Sequence, residues 1–232
     1  MVTRFSVALL LLGLATLLAC RTAGTPTPVN ADIAMCQPEA GNFSTDINNP
    51  YFPLKPGATW TLEGKSDGKD VRLVITVSNE TQQVAGVTAR IVEERETANG
   101  ALVEVSRNFF AQAPDGSVCY YGEEVDIYEN GAVVRHDGAW RAGINGALPG
   151  VYMSREPKAG MKFRQEVAKG IAEDQAEIKA LGEKTTVPAG EFTDTVRSVE
   201  TTPLESGSST KVFARDAGLI VDGDLRLVSR TP

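Results

Sequence analysis

The chain has 232 residues, with 23 Lys and Arg against 30 Asp and Glu, a single His and a net charge of −7. An acidic excess of this kind excludes the clustered cations that grip nucleic-acid phosphates or anionic lipid headgroups, and it favours solubility. The length suits one domain with a sizeable core, and one histidine leaves no multi-histidine zinc or copper centre.

Arg4 precedes an apolar run from Phe5 to Leu18, which ends in Leu17-Leu18-Ala19-Cys20. A basic start, an apolar stretch and a small residue at the cut are the layout of an export signal. The run falls short of the ~20 residues that span a bilayer. A cysteine directly after the small residue resembles the lipobox of bacterial lipoproteins. The resemblance implies a signal peptide over residues 1–19, acylation of Cys20, and a mature protein anchored to a membrane of the cell envelope, facing periplasm or exterior. An ordinary secretory signal with a chance cysteine is the alternative. Arg21 rather than an aspartate follows, which by resemblance to sorting in diderm bacteria leans toward the outer membrane. Residues 20–41, rich in Thr, Pro and Ala, lack strand or helix periodicity and read as a lipidated flexible tether. The domain is expected over residues 42–232.

Short β-prone runs then alternate with turn pairs at Asp67-Gly68, Asn99-Gly100, Asp115-Gly116, Asn130-Gly131, Asp137-Gly138 and Asp222-Gly223. Such pairs supply the positive φ angles of tight hairpins. Val71, Leu73, Ile75 and Val77 share one face of the first long run. Strands are predicted over 89–95, 102–105, 108–112, 118–121, 125–129, 132–135 and 161–167, then over 195–201, 210–214, 219–221 and 225–228. Residues 172–181 fit a helical stripe through Ile171, Ile178 and Leu181, but their place between strands favours an extended strand. The pattern predicts an all-β domain: one antiparallel meander sheet curved into a barrel or half-barrel.

Several segments carry a wider resemblance: Asn49-Pro50-Tyr51-Phe52-Pro53-Leu54-Lys55-Pro56-Gly57, Trp140-Arg141-Ala142-Gly143, Arg164-Gln165-Glu166, Ala172-Glu173-Asp174, Val187-Pro188-Ala189-Gly190-Glu191-Phe192, and Phe213 to Ile220. Together they resemble an uncharacterised family of exported bacterial proteins, many of them lipoproteins. The resemblance implies location and fold, and by analogy a curved sheet that shelters an apolar ligand. Physically, Pro50, Pro53 and Pro56 forbid helix in the first motif. Tyr51, Phe52, Leu54 and Trp60 are expected to cap one end of the sheet, either as a lid on the core or as a ligand or partner site.

With Cys20 acylated, Cys36 and Cys119 remain, either as a disulfide clipping the start of the domain to a mid-chain strand or as buried thiols. No CxxC or cysteine–histidine spacing suits zinc. His136 lies in a turn, and no Gly-x-Ser-x-Gly elbow exists for it to serve. Glu123, Glu124, Asp126 and Glu129 form one acidic cluster, and Glu173, Asp174 and Glu177 another. Without an Asp-x-Asp-x-Asp-Gly loop they read as solvated strand faces rather than a calcium site. Arg164 and Glu166, two apart on a predicted strand, are expected to share a face, with Glu173 folding back opposite them. That trio is either a structural ion pair or a ligand-orienting group. No catalytic residue, metal or cofactor is identified. The expected function is non-enzymatic binding of a lipid or other amphipathic molecule by an envelope lipoprotein. A protein–protein scaffold lipoprotein working through a sheet edge or the Tyr51, Phe52 and Trp60 patch is the alternative, and a carboxylate hydrolase with two acids facing across a cleft is the lesser one.

Overall fold

A computed structural model describes residues 31–232; the signal segment and Cys20 lie outside the described residues. The domain is all-β, and its strands form two antiparallel meanders. The first comprises β3 (Thr59–Ser66), β4 (Lys69–Val84), β5 (Val87–Ala98), β6 (Ala101–Gln112) and β7 (Val118–Glu129). Two short strands, β8 (Ala132–Arg135) and β9 (Trp140–Arg141), fold back on β7, and β10 (Leu148–Met153) extends the sheet beside it. The second meander comprises β13 (Gln175–Val187), β14 (Gly190–Thr201), β15 (Ser209–Ala214), β16 (Gly218–Asp222) and β17 (Leu225–Thr231). A strand therefore occupies residues 175–187, where a helical stripe competed.

Hairpin chemistry sets this rhythm. Asn99 and Gly100 sit at φ 49° and 81°, and Asn130 and Gly131 at 52° and 79°, the pair of positive angles that a two-residue turn needs. Ala85 and Gly86 do the same at 49° and 83°, without the Asn or Asp signature, so β4 runs longer than its alternating segment.

Two seams turn the meanders into one curved sheet. β17 pairs with β3, joining the C-terminal strand to the first long one. At the opposite side one continuous segment pairs both ways. Its first part, β11 (Lys162–Arg164), pairs with β13, and its second part, β12 (Glu166–Val167), pairs with β10. The antiparallel path thus runs through 13 strands, from β11 round to β12, and nearly closes into a barrel. The pivot is Gln165. The backbone N–H groups of Gln165 and Glu166 both donate to the Asp174 carbonyl, at 2.8 and 3.2 Å, which kinks the strand as a bulge does. Gly150 faces this kink so closely that a Cβ there would lie 2.2 Å from the Gln165 carbonyl oxygen.

The N-terminal segment is fastened across this barrel. A small hairpin, β1 (Ile47–Asn49) with β2 (Phe52–Leu54), turns through Pro50 and Tyr51. Asn49 explains the turn. Its Oδ1 accepts from the N–H groups of Tyr51 (3.0 Å) and Phe52 (3.2 Å), and its Nδ2 donates to the carbonyls of Gly116 and Ser154. The Phe52 ring lies 5.3 Å from Phe110, 4.6 Å from Tyr152 and 6.0 Å from Phe213. Trp60 donates its indole N–H to the Ala217 carbonyl. Tyr51, Phe52 and Trp60 are all buried, so they form a lid on the core and no exposed aromatic patch.

The expected boundary at residue 42 needs correction. Ile33–Cys36 and Pro38–Ala40 form short 3₁₀ turns, and Ala31 already donates its N–H to the Lys162 carbonyl. Cys36 is fully buried and disulfide-bonded to Cys119, with Cα atoms 5.5 Å apart. The Tyr121 hydroxyl also donates to the Cys36 carbonyl at 2.8 Å. Residues from about 31 onward therefore belong to the folded domain, because a covalent bond and a buried hydrogen bond hold them there. Among the described residues no helix is long and apolar enough to cross a membrane.

Candidate functional site

A cavity of about 360 Å³ opens inside the curl of the sheet. Its lining comes from β5, β6 and β7 on one side and from β14 and β15 on the other; these strands are far apart along the sheet and meet only because it curls. Period-two alternation on β6 aims Glu104, Ser106, Asn108 and Phe110 into the cavity together. The floor is aromatic. Phe110 stacks on Tyr120 with ring centroids 4.8 Å apart, and Tyr152 meets Phe110 edge-on at 4.9 Å. The Tyr120 hydroxyl donates to Asn108 Oδ1, whose amide in turn donates to Ser106 Oγ. Burial raises the Tyr120 and Tyr152 phenols above their ordinary range, so both stay neutral and present apolar faces. The mouth is ringed by the Ile171 turn and the loop over residues 202–208, where Ile171 and Leu204 are exposed.

Above the floor the walls are acidic. β5–β7 contribute Glu94, Glu104 and Glu123; the opposite side contributes Glu166, Asp174 and Glu200, with Glu205 at the mouth. Lys211 is the one cationic side chain in this lining among the described residues. It is committed to Glu200, with Nζ 3.0 Å from the carboxylate and both side chains nearly buried. Gln165 also donates to Glu200, at 2.8 Å. Glu200 is thereby satisfied twice over.

Glu166 is different. It is only partly exposed. Burial raises it well above the usual carboxylate range, and the charges of Glu123, Asp174 and Glu200 push further in the same direction, against a weaker pull from Lys211.

The sequence-predicted trio does not assemble. Glu166 lines the cavity, but Arg164 is exposed and outside the lining, because the kink at Gln165 breaks the simple alternation that would have put both on one face. Glu173 turns away to accept the Gly170 N–H at 2.8 Å. The two acidic clusters divide in the same manner. Glu123 and Asp174 enter the cavity, whereas Glu124 pairs with Arg141, Asp126 with Arg107 and His136, and Glu177 with Lys179. His136 is a largely exposed turn residue whose Nδ1 lies 2.7 Å from the Val125 carbonyl. Among the described residues no three His, Cys, Asp or Glu side chains are grouped to hold a metal ion.

Ser106, Asn108 and Glu104 were not legible as site residues. Polar side chains alternating with Val105 and Phe109 read as a solvent face; only the buried state of Ser106 and Asn108 identifies it as the interior one. The concave face is correspondingly polar above its aromatic floor, rather than apolar throughout, since the apolar side chains go into packing.

No protein-family model matches the chain. No curated protein matches it either. Among solved structures it is similar to a protein of Parabacteroides distasonis ATCC 8503 provisionally described as a lipoprotein, with 15% identity and a TM-score of 0.32 over 79% of this chain and 99% of that one.

Proposed function

We propose that this chain is a non-enzymatic lipoprotein of the bacterial cell envelope, anchored through acylated Cys20, whose barrel binds a small amphipathic molecule in its interior cavity. The cavity carries the reading. The sheet curls around a half-open cleft of about 360 Å³, lined by aromatic rings below and polar groups above. That volume lies at the lower end of the roughly 300–1,000 Å³ typical of ligand sites. It fits a headgroup-sized or short-chain molecule better than a whole membrane lipid. The lipobox supports the anchoring, and the Cys36–Cys119 disulfide agrees with an oxidising compartment.

Native mass spectrometry of the protein extracted in mild detergent from its own envelope tests this. A stoichiometric small adduct, retained after the lipidated N-terminus is cut away, is the expected result. A bare domain with a co-purifying protein would move the reading to a scaffold; a bare domain alone would overturn ligand binding. Glu166, an acid raised in a cleft beside Glu123 and Asp174, favours a hydrolase as the second reading. The same experiment separates the two, since a carrier releases its adduct unchanged on re-addition and a hydrolase releases it cleaved.

A further inference from the structure

We infer that the cavity takes an organic cation, an amine with an apolar body, whose ammonium pairs with Glu166 while its body lies on the Phe110, Tyr120 and Tyr152 rings. This rests on the ligand-binding reading above and names the chemical class of its occupant.

The argument begins with charge. Facing Glu166 are Glu94, Glu104 and Glu123 from β5–β7, Asp174 before β13, Glu200 from β14, and Lys211 from β15. Lys211 and Gln165 both serve Glu200, so seven carboxyl side chains share this cavity with one ammonium among the described residues. A desolvated acid beside other acids is costly when ionised unless a cation or a proton meets it. A metal ion fits poorly, because no three ligating side chains converge among the described residues. An ammonium needs only one strong acceptor and tolerates ring faces around it. The floor already shows that tolerance, with Lys211 Nζ 5.8 Å from the Tyr152 ring centroid. Exposed Leu204 and Ile171 at the mouth would cover the apolar end of such a ligand.

Charge also predicts a pH signature. An ammonium pairs with the ionised form of Glu166, so binding displaces the proton and weakens as pH falls through the range where Glu166 protonates.

Isothermal titration of the full mature protein with hexylamine, hexanol and hexanoate tests the inference. Hexylamine is expected to bind about tenfold or more tighter than hexanol, the worth of one charge-assisted hydrogen bond, with hexanoate weakest. Glu166→Gln should remove that preference and the pH dependence, and Glu173→Gln, which lies outside the cavity, should keep both. Equal or tighter binding of hexanol or hexanoate would overturn the cationic assignment and leave the ligand-binding reading standing. If none of the three binds, the adduct recovered from the envelope decides: a cationic molecule supports the inference and a neutral or anionic one overturns it. With neither probe nor adduct bound, the ligand-binding reading itself fails and takes this inference with it.

Discussion

Glu166 works against the fold that holds it. Its native pKa is raised above the ordinary glutamate value by burial first and by Glu123, Asp174 and Glu200 next. The native state therefore binds this proton more tightly than the unfolded chain does. Its contribution to stability is complete below the ordinary glutamate range and declines as pH rises toward the raised native value. Replacing Glu166 by Gln removes that decline. Urea denaturation should show the variant matching the wild type near about pH 4 and exceeding it near about pH 8. An equal difference at both pH values would mean that the side chain acts through packing rather than charge. Such a residue is what the proposed cation site requires, since a bound ammonium would supply the missing charge.

At the scale of elements, two joints carry the architecture. The first is the approach of β10 to the kink at Gln165, where Gly150 leaves no room for a Cβ. Gly150→Ala should force backbone apart at the closing seam and cost about 1–3 kcal/mol, as overpacking does; thermal denaturation reads the loss, and an unchanged midpoint would show that the seam has slack. The second joint is the Cys36–Cys119 disulfide, which spans 83 residues. Replacing both cysteines by alanine should lower stability by about 2–4 kcal/mol while leaving the strand content by circular dichroism intact. The hairpins were legible in the sequence because Asn99-Gly100 and Asn130-Gly131 encode their turns locally, whatever the rest of the chain does. The seam was not. It depends on two N–H groups finding one Asp174 carbonyl and on a glycine in β10, which no periodicity records. The same kink separated Arg164 from Glu166, so Glu166 lines the cavity without the partner expected beside it. Asn108 and Ser106, which share the cavity lining, were hidden by alternation that looks identical whether the polar face meets solvent or an interior cavity.

Taken whole, the molecule is two stable meanders joined by one long seam and one short one. β17 pairs with β3 from Arg226–Glu63 to Thr231–Thr59, whereas β12 meets β10 only at Leu148–Val167 and Pro149–Glu166, and β11 meets β13 through Lys162, Phe163 and Arg164, with backbone bonds just beyond at Met161 and Gln165. Few ladder bonds mean a low free energy of local opening, so the barrel should breathe at the short seam well before it unfolds. That seam also carries Gln165 and Glu166 into the cavity wall, which couples opening to the site. A ligand that pairs with Glu166 in the closed barrel and loses that partner in the open one must shift the balance toward closure. Hydrogen exchange checks this directly. In the free protein the amides of β10–β12 should exchange faster than those of β4–β6, and ligand should slow the seam selectively. Protection at the seam equal to that of β4–β6 would mean a barrel closed as one cooperative unit, with ligand entering through the loop over residues 202–208 instead.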